Sequence, residues 1–256
     1  MSYQTIQFGI ADGIATLILN RPEVMNALNT RMRAEITQAL TTLPPEVRCV
    51  VLTGSGRAFC SGQDLQDADA AADLEATLRN EYEPMLHAVV NCPAPVIAAV
   101  NGTAAGAGAN LALVADVVIA AESANFIQAF TRIGLIPDAG GTWAIPRAVG
   151  GARARGMMLF ADAITARQAA DWGMIWEALP DDGFAEGVAA RARHLAGGPT
   201  AAYLSVRHAV AESFDNDLDD QLKLEARLQG QAGRSADFRE GVAAFLEKRK
   251  ARFTGR

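Results

Sequence analysis

The chain opens on two apolar-rich segments, 3–9 and 13–20, separated by Asp12-Gly13. That dipeptide predicts a two-residue β-hairpin, because both residues tolerate the positive φ such a turn needs. Asn29-Thr30 then precedes a helical spacing of apolar positions to about Leu43, where Pro44-Pro45 stops it. Short unbroken apolar runs follow at 48–53, 95–100 and 116–121. Each reads as a strand buried on both faces. Helical spacing covers roughly 72–90, and GTAAGAGANLALVA, after residue 101, is a Gly/Ala turn running into another helix. Strands alternating with helices over 1–125 predict an α/β core. Beyond about 141 the pattern is mostly helical, with breaks at Gly150-Gly151, Gly197-Gly198-Pro199 and Gly233. No segment repeats another, and the Ala/Asp-rich stretch 66–76 reads as a mobile loop.

With 256 residues, half of them hydrophobic, the chain has material for one sizeable domain and a small helical appendage. A formal charge of -6 argues against a nucleic-acid binder. Cys49, Cys60 and Cys92 show no CxxC spacing, which disfavours a zinc site or a disulfide framework. No basic flank precedes the first apolar run, and no apolar stretch reaches the ~18 residues needed to span a bilayer. The expectation is a cytoplasmic protein with no nucleic-acid, membrane or metal partner.

Two Gly-containing segments follow buried strands: Phe59-Cys60-Ser61-Gly62-Gln63-Asp64, and Gly106-Ala107-Gly108 opening a helix. Small residues there let backbone N–H groups approach a ligand, and the first N–H groups of a helix are unpaired. Two such donors converging on one point stabilise an oxyanion, by about 3–4 kcal/mol per donor in measured cases. On composition alone, close packing is the commoner reason for such turns. Neither is a P-loop, since no Gly-Lys-Ser/Thr follows, nor a dinucleotide fingerprint. Asp138, among apolar neighbours and before Gly140-Gly141, has two readings. It is either a proton carrier with a raised pKa or the cap of the next helix.

LNRPEVMNALN (19–29), AFCSGQDL (58–65), AVNGTAAGAGANLALVAD (99–116), IGLIPDAGGTWAIPRAVG (133–150) and EGVAAFLEKRKARF (240–253) together resemble the crotonase (enoyl-CoA hydratase/isomerase) superfamily over nearly the whole chain. The resemblance implies an α/β crotonase-like spiral core of repeated ββα units, taken as 1–195. It also implies a C-terminal helical region, 196–256, that helps form a homotrimer or a dimer of trimers. It implies an acyl-CoA substrate and no separate cofactor, coenzyme A being part of the substrate. The oxyanion donors fall on the N–H groups of Gln63 and Ala107. The coenzyme falls near Arg21, Val24 and Ala58, with Lys248 near its phosphates. Asn110 and Phe130 fall in the acyl pocket.

Those last two positions are where the family's hydratases carry glutamates. Neither Asn nor Phe exchanges a proton near neutral pH, so efficient hydration is not expected. Asp138 is then the base of an isomerase that moves one proton beside an oxyanion hole. PDAGGTW, PRAVG, ADWGMIW and AGRSADFREGVAAFLEKR further resemble the branch that rearranges ring-epoxidised phenylacetyl-CoA to an oxepin in aerobic phenylacetate breakdown. Relatives of this type also move double bonds of enoyl-CoA from the 3 to the 2 position. The alternatives are a thioesterase or dehalogenase with Asp138 as nucleophile, and a non-catalytic acyl-CoA-binding subunit.

The remaining candidates read as structural. His87, His194 and His208 are expected on exposed helix faces. Cys60 is read as a small buried residue, and Trp143, Trp172 and Trp176 as core anchors. Asp64 and Glu23 are read as turn-forming acids near the site. Leu218, Leu222 and Leu228 are expected to pack a helix at a subunit interface.

Overall fold

A computed structural model describes residues 3–67 and 72–256. Residues 68–71, the middle of the stretch expected to be a mobile loop, lie outside the described residues.

Strands β1 (Ile6–Ala11) and β2 (Ile14–Leu19) pair antiparallel. Asp12 and Gly13 join them at φ 51° and 75°, the left-handed pair that a tight hairpin requires. From β2 the chain builds a large sheet with β3 (Cys49–Gly54), β5 (Val96–Val100), β7 (Val117–Ala121) and β10 (Glu177–Leu179). Its order is β1-β2-β3-β5-β7-β10, and every pairing after the hairpin is parallel. A second sheet takes β4 (Ala58–Cys60), β6 (Thr103–Ala105), β8 (Asn125–Ile127) and β9 (Ala163–Thr165), in that order.

The two sheets are the product of one repeating unit. β3 and β4, β5 and β6, and β7 and β8 each send the first strand to the large sheet and the second to the small one. A helical segment follows each pair. After β4 come α2 (Leu74–Thr77), a π turn (Leu78–Tyr82) and α3 (Glu83–Val90). After β6 comes α4 (Ala107–Leu113), and after β8 a 3-10 turn (Ala129–Ile133).

Both faces of the large sheet are covered, as its unbroken apolar strands require. Because side chains alternate along a strand, Val50 and Leu52 join Leu17, Leu19, Ala98 and Val100 in the main core. That core also receives Met32 and Ile36 of α1 (Thr30–Thr41) and Met85 of α3. Cys49, Val51, Ile97, Ala99 and Ile119 face the other way and meet Val188 and Ala192 of α7 (Phe184–Ala196). Asn29 caps α1 by accepting from Met32 N at 2.9 Å, and the helix ends two residues short of Leu43.

The helical half contains α5 (Gly141–Phe160), α6 (Ala166–Asp171), α7, α8 (Thr200–Glu212), α9 (Leu218–Ala232) and α10 (Ala236–Leu246). The glycine pair expected to end a helix at 150–151 instead kinks α5, with Gly150 at φ 79° and ψ 159°. A domain boundary at 195/196 falls at the end of α7, which lies on the sheet; α8 to α10 follow it. Two arginines fasten that last part. Arg207 of α8 donates to both Asp116 oxygens at 2.6 Å and to the carbonyls of Cys92 and Ala94 at 2.6 and 3.0 Å. Arg48, just before β3, donates to Thr200 Oγ1, Gly198 O and Phe253 O. The C-terminal segment closes on buried Asp237, whose carboxylate accepts from Thr254 N and Gly255 N at 2.6 and 2.8 Å.

Some apolar positions differ from expectation. Trp143 and Trp176 are 52% and 64% exposed, so they do not anchor the core of the single chain. Trp172 is half-buried, with Arg153 5.1 Å from its ring centroid. The expectation for α9 concerns a second copy of the chain; on the single chain Leu218 and Leu222 are exposed and Leu224 is the buried contact. Among the described residues no helix is long and apolar enough to cross a membrane.

Arg207→Ala breaks four charge-assisted hydrogen bonds between α8 and the core. It is expected to lower stability in urea unfolding by about 2 kcal/mol or more. Arg207→Lys should recover only part of this, because one ammonium cannot reproduce the bidentate grip.

Candidate active site

The turn after β4 and the start of α4 meet at a contact that only glycine permits. Gly62 sits at φ +93°, and a Cβ there would lie 2.8 Å from Ala105 O and 3.2 Å from Ala107 N. Gly108 is as confined, since a Cβ would lie 2.5 Å from Cys60 O and 2.6 Å from Cys60 Sγ. The peptide between Gly62 and Gln63 is thus brought against the first turn of α4. Leu28 brackets this turn: its N–H donates to Gly62 O at 2.7 Å and its carbonyl accepts from Asp64 N at 3.1 Å. Among the described residues no acceptor takes the N–H of Gln63 or of Ala107. Two uncommitted donors side by side, one at a helix N-terminus, form an arrangement able to hold an oxyanion.

Asp138 stands over the same helix. Ala139 and Gly140 follow it with φ 48° and 80°, and Gly140 caps α5 with no side-chain hydrogen bond. Asp138 therefore does not cap the helix with its carboxylate; it is its main-chain oxygen that accepts from Gly141 N at 2.9 Å. Its Oδ1 is buried and has no hydrogen-bond partner. Burial pushes the carboxyl up to about 6 from 3.8.

Asn110 does not act as a pocket wall. It is wholly enclosed, and Nδ2 donates to Asp138 O at 2.8 Å while Oδ1 accepts from Gln128 Nε2 at 2.9 Å. One turn after Ala107, this amide ties α4 to the main chain of Asp138. Gly141 leaves it room, because a Cβ there would lie 2.4 Å from Nδ2. Phe130 is buried on the 3-10 turn, and a side chain added at Gly106 would meet its ring at 3.8 Å. It thus sits beside the Ala107 N–H.

Arg21, Val24 and Ala58 also gather near this turn. Asn26, fully buried at φ 56°, donates Nδ2 to the carbonyls of Ser55, Ala58 and Phe59 and accepts from Arg21 N at 2.9 Å. Ser61 Oγ donates to Val24 O at 3.2 Å. Arg21 pairs with Asp64 at 2.8 Å, and both line a cleft of about 660 Å³ with Thr30, Arg31 and Gln66. Lys248 is not brought to this group within one chain. It is exposed after α10, and the segment that follows is bound to Arg48 at the start of β3, whereas the cluster lies past the other end of that strand.

Three residues that support the site, Arg33, Tyr82 and Gln128, lie outside the sequence motifs; Asn26 lies within LNRPEVMNALN but was not singled out there. Each is a polar residue whose enclosure comes from tertiary packing. Cys60 is inert, burial pushing its thiol up to about 12. The three histidines are exposed.

The model of the enoyl-CoA hydratase/isomerase family matches residues 9–256. The chain belongs to that family. It is 63% identical over 257 residues to a Rhodobacter capsulatus protein named probable enoyl-CoA hydratase, with all of both chains covered. It is 47% identical to the 1,2-epoxyphenylacetyl-CoA isomerase of Escherichia coli, covering 96% of this chain and 97% of that one. The crystal structure of an enoyl-CoA hydratase from Bacillus anthracis superposes with a TM-score of 0.91 at 32% identity, over 99% of this chain and all of the other. The two sheets and their ββα units are accordingly the crotonase fold.

Asp138 binds its proton more tightly in the folded chain than the ordinary value of 3.8 allows. The folded state is therefore penalised when the group is charged, fully above about pH 6 and not at all below 3.8. Asp138→Asn should raise the melting temperature at pH 8, and the gain should shrink as pH falls through 6 towards 4.

Proposed function

We propose that this family member is an acyl-CoA isomerase. In this reading Gln63 and Ala107 N–H groups receive the thioester oxygen, and the Asp138 carboxylate removes a proton from the carbon beside the thioester. The electron pair passes into the carbonyl to give an enolate held by the two donors. The conjugate acid of Asp138 then returns the proton to a carbon further along. One base suffices, because no water is activated. Phe130 gives the reacting carbons an apolar wall and excludes water. Coenzyme A rests near Arg21, Val24 and Ala58. A contact from Lys248 to its phosphates requires a second copy of the chain, which fits a trimer.

The observation that carries this reading is the lone, buried, unpartnered carboxylate oxygen of Asp138 next to α4. The positions read as hydratase acids hold a hydrogen-bonded Asn110 and the ring of Phe130. Hydration, the activity in the name of the Rhodobacter capsulatus relative, would need proton carriers that neither residue supplies. The favoured substrate is ring 1,2-epoxyphenylacetyl-CoA, converted to the isomeric oxepin thioester, as the name of the Escherichia coli relative supports. The ring carbon–carbon bond spanned by the epoxide opens electrocyclically, its electron pair joining the ring π system as the seven-membered oxepin. Loss of a side-chain proton then conjugates the thioester with that ring, and return of the proton to a ring carbon completes the change. A 3-to-2 shift of an enoyl-CoA uses the same machinery.

The test is product analysis by mass spectrometry and ultraviolet absorbance with ring-epoxidised phenylacetyl-CoA, a 3-enoyl-CoA and a 2-enoyl-CoA. Wild type should isomerise one of the first two and leave the third unhydrated. Asp138→Asn should lose about 10²–10⁴ of the rate while binding the thioester. The wild-type kcat/KM should fall on the acid side of about pH 6 as Asp138 is protonated. A hydrated product from the 2-enoyl-CoA as the main activity would overturn the reading.

A further inference from the structure

Behind the Gln63 N–H lies a buried polar cluster whose side chains take no part in the proton transfer. Arg33 projects from α1 and its side chain is wholly enclosed. Its Nε and Nη2 donate to Glu81 at 2.9 and 2.6 Å, and Nη2 reaches Thr30 Oγ1 at 3.1 Å. Its Nη1 donates to Leu28 O at 2.7 Å and to Gln63 Oε1 at 3.0 Å. The guanidinium carbon lies 4.8 Å from the centroid of the Tyr82 ring. Tyr82 is 3% exposed, and its hydroxyl donates to the same Gln63 Oε1 at 2.5 Å. Burial raises the phenol pKa, so the hydroxyl remains a donor.

Enclosing a guanidinium costs several kcal/mol, and apolar side chains of similar volume commonly stabilise a core as well. The bonds of this cluster converge on one residue. Leu28 holds the main chain on either side of Gln63, Arg33 and Tyr82 share its side-chain oxygen, and Nε2 donates to Asp64 O at 3.2 Å. These bonds fix the residue whose N–H stays uncommitted. Glu81 and Tyr82 are consecutive and both reach the cluster, from the π turn Leu78–Tyr82. Such widened turns recur at functional sites. Asp138 is close enough for its charge to act on Tyr82.

We infer that Arg33 and Tyr82 are positioning residues for the Gln63 N–H. By holding Gln63 Oε1 they fix the orientation of the peptide that meets the thioester oxygen, acting through Gln63 and not on substrate. The inference rests on the acyl-thioester reading of the site. A donor that is aimed in advance stabilises developing charge without reorganising, so loosening it reduces turnover more than binding.

The test uses 4-dimethylaminocinnamoyl-CoA, whose absorbance moves to longer wavelength when its carbonyl oxygen is polarised. Wild type should produce that shift. Tyr82→Phe keeps the ring over Arg33 and removes one hydroxyl. It should bind the probe within about threefold of wild type, show a smaller shift, and lower kcat about tenfold with KM little changed. Gln63→Met, which removes the shared acceptor, should give the same pattern by a second route, and adding Tyr82→Phe to it should change little further. A full shift and wild-type kcat in Tyr82→Phe would overturn the inference, as would additive losses in the double variant. No shift in wild type would remove the thioester reading itself, and this inference with it.

Discussion

The site depends on the close approach of the Gly62 turn to the first turn of α4. β4 and α4 belong to successive ββα units, and a side chain at either Gly62 or Gly108 would drive them apart. Removing a clash of this kind costs nothing in contacts elsewhere, yet it sets where two backbone N–H groups lie. Main-chain donors at such a junction are held by the fold, and Gln63 further by its hydrogen bonds from Arg33 and Tyr82, so they reorganise little when charge develops near them. The small second sheet, with strands of three residues, is what brings each unit's helix to that junction.

Around the junction, polar side chains hold main chain to main chain. Asn26 joins the Arg21–Val24 turn to the end of β4, Arg33 and Tyr82 hold Gln63, and Asn110 joins α4 to the Asp138 turn. Each is enclosed, where an unpaired polar group is costly and a paired one is geometrically strict. Asp138 is the exception: its Oδ1 is left without a partner, and burial then holds the carboxyl near the pH at which it can both take and return a proton.

β3, β5 and β7 of the large sheet were legible because they are apolar on both faces, and the β1–β2 hairpin because Asp-Gly permits only a few turns; β10, three residues in the stretch read as mostly helical, was not. The second sheet was not legible: β4, β6, β8 and β9 are three residues each, too short for any alternation to register. The ββα repeat is likewise a repeat of geometry without a repeat of sequence. The segments of the site were visible as motifs, including Gln63, Ala107 and Asp138. Their supports were not, since Arg33 on an amphipathic helix reads as a surface charge until Glu81 and Gln63 enclose it. Asn110 was read as pocket lining because its place in the motif suggested it, but hydrogen bonding to Gln128 and Asp138 decides its role. Trp143 and Trp176 failed as core anchors because large aromatic residues also occupy exposed faces that a single chain leaves open.

The central claim is that one carboxylate moves a proton at the carbon beside a thioester. It is tested most directly by incubating phenylacetyl-CoA, which cannot isomerise, with the protein in D₂O and following deuterium at that carbon by mass spectrometry. The account predicts exchange with wild type above about pH 6 and none with Asp138→Asn. Bound phenylacetyl-CoA that gains no deuterium from wild type would contradict it.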